Sequence, residues 1–141
     1  MTIIITIIYM EEKTYSVKDY EQFAKQNPAT GTLKIQAYAA NQAFPLADVE
    51  IEVSKIIDNH KVVFFEGKTD SSGIIDNITL PAELKKDDIE SFNDIYYTTY
   101  DLTARYPKTN AVKNYKVGIF DGLKVIQPIK FSSMIDGDVN G

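Results

Sequence analysis

His60 is the single histidine of this 141-residue chain and its one side chain suited to proton transfer near neutral pH. It follows Asp58 and Asn59, and that D-N-H run predicts an exposed turn rather than a general base held against a partner. With one histidine and no G-x-S-x-G, nothing supports a Ser/His/Asp arrangement. The absence of cysteine removes thiolate chemistry, disulfides and Cys-ligated metal. The carboxylates Asp87, Asp88 and Glu90 follow Lys85-Lys86 in a mixed-charge run that reads as a solvated loop. Asp70, in TDSSG, is placed to cap its own turn. The 7 glycines lie singly, so no glycine-rich phosphate cradle is present.

Two further groups of residues carry a chemical reading. In the tail, Asp136, Asp138 and Asn140 with Gly141 form D-x-D-x-N-G, the first half of a calcium loop. Such a loop needs a bidentate carboxylate at its twelfth position, and these three side chains fall short of the ~6–8 oxygens that Ca²⁺ takes. The expectation is a polar tail, no bound metal and no cofactor. Late in the chain Tyr96, Tyr97, Tyr100, Tyr106 and Tyr115 cluster. Aromatics on an exposed sheet face stack on sugars or grip a protein partner, and these five form the candidate binding face. Tyrosine is also a good strand former, so the same cluster fits an ordinary sheet.

The formal net charge of −5 and the scatter of the 15 Lys and Arg residues argue against nucleic acid as a partner. Hydrophobic residues at 44% and charged residues at 25% are ordinary for a globular chain, and the length suits one domain. Zero cysteines fit the cytosol and equally a spore or Gram-positive surface.

The elements that would position these residues begin with MTIIITIIYM. This run is too short to span a bilayer, which takes about 20 residues. No basic stretch precedes it and Glu11-Glu12 follow it, so it does not read as a signal peptide. It reads as a strand: Ile3, Ile5, Ile7 and Tyr9 on one face, with Ile4 and Ile8 among the residues of the other. Left unpaired, such a strand would aggregate. It therefore pairs with an edge of its own sheet, completes the sheet of another subunit, or docks on a membrane or separate partner. Burying its isoleucines contributes on the order of 10 kcal/mol before ordering costs.

Ser16 and Asp19 then form a capping-box pattern, and Val17, Tyr20, Phe23 and Ala24 make one helical stripe that ends at Asn27-Pro28. From Gly31 the pattern becomes strands and turns. Leu33, Ile35, Ala37 and Ala39 alternate with Lys34, Gln36 and Tyr38; Val49, Ile51 and Val53 alternate with Glu50 and Glu52. HKVVFFEGK is apolar on both faces, which predicts a central or covered strand. Ile74–Leu80 and Tyr96–Tyr106 read as strands stopped by Pro81 and Pro107. NYKVGIF and LKVIQPIKF close the set, joined across Asp121-Gly122 as a hairpin. These strands predict an all-β, seven- to eight-stranded antiparallel β-sandwich with an N-terminal strand and short helix. The divisions are 1–30 for the extension, 31–131 for the sandwich and 132–141 for the polar tail.

The frame GTLKIQAYAA…FPLADVEIEV…GKTDSSGIIDNITLPA…YYTTYDLTARYP…YKVGIFDGLKVIQPI resembles the transthyretin-like sandwich of the carboxypeptidase regulatory-like class. It is most similar to the non-catalytic N-terminal region of clostridial spore cortex-lytic pre-enzymes and related short spore or phage-associated proteins. The resemblance covers Gly31 to about Ile129. It implies a binding, structural or chaperone-like module with no catalytic residues to carry over. Related surface sandwiches form Lys–Asn isopeptide cross-links, for which Lys34 is the candidate lysine; Leu123–Phe131 holds no Asn or Asp to receive it. The expectation is a non-enzymatic module that assembles with itself, or with another protein, through Ile3, Ile4, Ile5, Ile7, Ile8 and Tyr9. The alternative is recruitment of a cell-wall or enzyme partner through the tyrosine face. A spore or surface location is favoured.

Overall fold

Leu33, Ile35, Ala37 and Ala39 are buried on one face of a single long strand, while Lys34, Gln36 and Tyr38 are half-exposed on the other. That strand, β1 (Ala29–Ala39), is the centre of one of two sheets in the computed structural model, which describes residues 19–39, 44–85 and 96–132. A helix, α1, spans residues 19–26. The other strands are β2 (Phe44–Pro45), β3 (Glu50–Ile57), β4 (His60–Lys68), β5 (Ile74–Ala82), β6 (Thr98–Tyr106), β7 (Ala111–Ile119) and β8 (Lys124–Phe131).

In the first sheet β5 and the short β2 pair antiparallel with β1, and β8 pairs parallel with it along Thr32–Ala39. The second sheet has the order β4-β3-β6-β7, all antiparallel. The inner faces meet in one core, with Leu33, Ile35, Leu80, Ile129 and Phe131 on one side and Val53, Leu102, Ala104 and Ile119 on the other. Among the described residues the fold is a β-sandwich of seven full strands and one two-residue strand.

One local expectation changes and another is narrowed. Asp121-Gly122 is a turn, but it joins two sheets rather than closing a hairpin: β7 ends in the second sheet and β8 returns to the first. The Gly122 N–H donates to the Thr30 carbonyl at 2.9 Å, and the Thr32 N–H donates to the Leu123 carbonyl at 2.9 Å. The turn is thereby fastened to β1, whose free edge takes β8 in parallel. Turn chemistry sets the reversal and not the sheet in which the next strand lands. The second concerns β4, for which the pattern allows a central or a covered strand. It is the edge of its sheet, not a central strand, and its double apolar pattern is answered by the helix that covers it.

The β3–β4 connection follows the sequence closely. Asp58 and Asn59 both adopt positive φ, 50° and 67°, as a two-residue hairpin of the inverted type requires. The leader Met1–Met10, residues 86–95 and the tail from residue 133 lie outside the described residues.

Candidate functional site

At one end of the sandwich the helix, an edge strand and a buried tyrosine meet. The register of β3 against β4 shifts between Val53 and Ser54, so that Val53 faces Phe65 and Ser54 faces Val63. Phe64 is the extra residue of this bulge, and bulges re-aim side chains in this way. Its ring lies 4.8 Å from Tyr20 and 5.5 Å from Phe23 of α1, and 5.0 Å from Tyr100 of β6. Phe23 also meets Tyr100 edge-on at 6.3 Å. A helix of this length is marginal alone, and this aromatic packing is what holds it. Asn27 closes its end, its backbone and side-chain N–H groups both donating to the Phe23 carbonyl at 2.9 and 3.1 Å.

Lys55 completes the cluster. Its Nζ donates to the Thr99 carbonyl at 2.7 Å and stands 5.9 Å from the Phe23 ring centroid and 5.8 Å from that of Tyr100. Burial pushes the Lys55 ammonium below its ordinary pKa; Asp101 works against that shift and Lys116 adds to it. The Tyr100 hydroxyl donates to the Pro81 carbonyl across the sandwich, and burial pushes its phenol well up. The arrangement is a joint: a cation and four rings clamp α1 onto β3, β4 and β6.

The outer face of the second sheet carries an open groove of about 490 Å³ among Glu50, Glu52, Glu66, Lys68, Thr103 and Arg105. Cross-strand partners occupy most of its polar groups. The Arg105 guanidinium donates to Glu50 from Nε at 3.0 Å and from its terminal nitrogen at 2.6 Å. Lys61 pairs with Glu52 at 2.5 Å, and the Thr103 hydroxyl donates to Asn114 at 3.0 Å. Pairs of this kind support a sheet face and contribute modestly to stability.

The residues singled out in the sequence do not converge. Tyr100 and Tyr106 are core side chains, 1% and 3% exposed, and therefore no surface face. Both sit at inward positions of β6, whose strict alternation with Leu102 and Ala104 decides the matter. Tyr115 is half-buried; burial raises its phenol and a hydrogen bond with the Lys130 backbone acts the other way. Tyr97 is 52% exposed and its ring lies 5.4 Å from Phe120, while Tyr96 is half-buried nearby in sequence. His60 opens β4 on the exposed side of its hairpin. Asp70 caps its turn, accepting from the Ser72 and Ile74 N–H groups at 2.9 Å each.

Lys34 faces the outer surface of the first sheet opposite Ile126 and lends charge to the Asp76–Lys124 pair, with no Asn or Asp on β8. Ile3, Ile4, Ile5, Ile7, Ile8 and Tyr9, the carboxylates Asp87, Asp88 and Glu90, and the half-loop Asp136, Asp138 and Asn140 lie outside the described residues. Among the described residues no three His, Cys, Asp or Glu side chains are grouped to hold a metal, and no helix is long and apolar enough to cross a membrane.

Sequence reasoning missed Lys55 and the joint. The signal was present: Val49, Ile51 and Val53 set an inward alternation whose next position is Lys55. A lysine at an inward position needs a partner there.

No family model matches this sequence, and no curated protein matches it. Solved structures do. The shaft pilin SpaA of Lactobacillus rhamnosus GG, as a double mutant, aligns with a TM-score of 0.52 at 15% identity over 72% of this chain. This chain spans about half of that pilin chain, 49%. The 5-hydroxyisourate hydrolase of Klebsiella pneumoniae aligns at 0.45 with 14% identity, over 71% of this chain and 90% of its own. Transthyretin of Sparus aurata aligns at 0.41 with 13% identity, over 70% and 89%. The chain thus shares a β-sandwich fold with the shaft pilin.

Proposed function

We propose that this chain is a non-enzymatic structural subunit that assembles with copies of itself through its N-terminal strand, Met1–Met10. The setting is a spore, cell-surface or phage structure, for which the resemblance to spore cortex-lytic pre-enzyme regions and the fold shared with a shaft pilin are the support. The observation that carries the reading is the place of α1. The helix brings the incoming chain to β4, an edge strand with the apolar run Val62-Val63-Phe64-Phe65. A strand-forming leader is thereby delivered next to a sheet edge able to take a strand. The eight residues from Glu11 to Lys18 between leader and helix span about 26 Å when extended, enough to leave one body for another.

Light scattering on the full chain and on a form lacking Met1–Met10 tests this. The full chain gives a mass above 15.9 kDa that rises with concentration, and the truncated form gives a folded monomer. A full chain that stays monomeric at every concentration refutes self-assembly. A truncated form that unfolds assigns the leader to its own core.

A further inference from the structure

We infer that β4 is the edge that receives the leader, as an antiparallel strand supplied by a second copy of this chain. The inference rests on the assembly reading above and adds to it the acceptor. Among the described residues the edge strands, besides the two-residue β2, are β4, β5, β7 and β8, and three of these four carry devices that discourage strand addition. β5 contains Pro81, which lacks an N–H, and Asn77 at φ 58°, which breaks the extended backbone. β8 contains Pro128, and the Tyr115 hydroxyl hydrogen-bonds with the backbone at Lys130. β7 places Lys113 opposite the buried Ala104, an inward-pointing charge that a docking strand would have to bury.

β4 has neither proline nor inward charge. Its bulge turns Phe64 onto α1 and leaves a regular ladder on both sides, from Phe65 to Lys68 and from Val63 to His60. Among the described residues no strand hydrogen-bonds to it on its outer side.

The leader fits this edge in length, pattern and charge. Nine residues of β4 face a leader of similar length, Thr2–Met10. In the antiparallel sense, with those spans aligned, Ile5, Ile7 and Ile8 fall along Val62–Phe65. Glu11 and Glu12 then leave the ladder at the end that carries His60 and Lys61. The parallel sense would instead bring the acidic pair toward Glu66 and Lys68.

The chain contains no cysteine, so engineered pairs report contacts cleanly. Tyr9→Cys is mixed under oxidation with Lys61→Cys, and Ile4→Cys with Glu66→Cys, each partner in a separate preparation; these are the pairs that the aligned spans set opposite each other at exposed β4 positions. Thr79→Cys on β5, Val112→Cys on β7 and Lys130→Cys on β8 are the parallel mixtures. The expected result is a disulfide-linked pair of chains with the β4 variants and loss of that product with the other three. Linkage to β5, β7 or β8 overturns the β4 assignment while leaving self-assembly standing. Linkage within one chain, in the Ile4→Cys/Glu66→Cys double variant at high dilution, overturns the second copy as donor. No product from any pair, with the unaltered chain monomeric, removes both the inference and the assembly reading; with the unaltered chain oligomeric, it removes the inference alone.

Hydrogen exchange on the unaltered chain gives an independent readout. Amides of His60–Lys68 slow as protein concentration rises, and those of Ile74–Ala82 do not. Equal behaviour of the two strands contradicts the inference.

Discussion

The Lys55 amine stands 5.9 Å from the centroid of the Phe23 ring, so a strand cation and a helix aromatic hold each other where α1 closes the sandwich. Tyr100 supplies the second ring at 5.8 Å and the Thr99 carbonyl the acceptor at 2.7 Å. The helix is therefore fastened to the sheet by chemistry as well as by packing.

Burial lowers the pKa of folded Lys55 below the ordinary 10.5. Between the lowered value and 10.5 the unfolded chain holds a proton that the folded chain has released. Stability attributable to Lys55 rises with pH through that window. Lys55→Met keeps most of the stem and removes the titration. Urea unfolding of the two proteins across the window is expected to show a wild-type gain that the variant lacks. Equal pH slopes would contradict a buried amine.

Tyr100 has the opposite alkaline signature. Its folded pKa is raised above the ordinary 10.0, chiefly by burial. The stability it contributes is fully present below pH 10 and is lost as the solution passes upward toward the raised value, because the unfolded chain deprotonates first. Tyr100→Phe keeps the ring contacts to Phe23 and Phe64 but loses the donation to the Pro81 carbonyl. It is expected to cost about 1–2 kcal/mol at pH 7 and to lessen the decline above pH 10. Thermal melts at pH 7 and above pH 10 check both parts.

Much of this architecture is legible in local pattern. The alternation at Leu33, Ile35, Ala37 and Ala39 places those side chains in the core, and Val49, Ile51 and Val53 follow the same rule. Asp58-Asn59 specifies its turn through residues that tolerate positive φ. What the pattern does not carry is non-local. The parallel pairing of β8 with β1 depends on which free edge lies nearest after Asp121-Gly122, and no local propensity encodes it. β4 reads as central or covered because Val62, Val63, Phe64 and Phe65 leave no polar face; the pattern does not say which, and a helix rather than a fifth strand answers the demand. Tyrosine chemistry is ambiguous by type: Tyr97, just before β6, is exposed, while Tyr106, at an inward position of β6, is buried.

Thr69 illustrates a structural role for a motif residue. Its hydroxyl donates to the Leu46 carbonyl at 2.6 Å and accepts from the Val49 N–H at 3.0 Å, both buried. Backbone bonds from Asp48 to Thr69 and from Thr69 to Val49, each 3.0 Å, complete the clasp around Asp48 at φ 62°. Thr69→Val fills the same volume and strands one donor and one acceptor. The expected loss is about 3 kcal/mol in a urea titration, while Thr69→Ser stays within about 1 kcal/mol of the unaltered chain. A valine variant as stable as the serine variant would mean the clasp is dispensable.

Gly73 and Gly122 share a left-handed backbone, φ 75° and 74°, but not a neighbourhood. A Cβ at Gly73 would strike the Ala37 carbonyl oxygen and come within 3.1 Å of the Leu46 nitrogen. Those groups cannot step aside: the Ala37 N–H donates to the Gly73 carbonyl at 2.7 Å and the Leu46 N–H donates to the Ala37 carbonyl at 3.0 Å. At Gly122 nothing lies within 4 Å of such an atom. Gly122→Ala therefore carries only the conformational cost of about 1 kcal/mol. Gly73→Ala adds a steric overlap with fixed backbone and is expected to lose more than about 3 kcal/mol. Chemical unfolding of the two alanine variants side by side measures the difference. A gap of about 2 kcal/mol or more assigns the TDSSG turn to holding β1, β5 and the loop before β3 in register; equal losses would reduce that glycine to a matter of backbone angle.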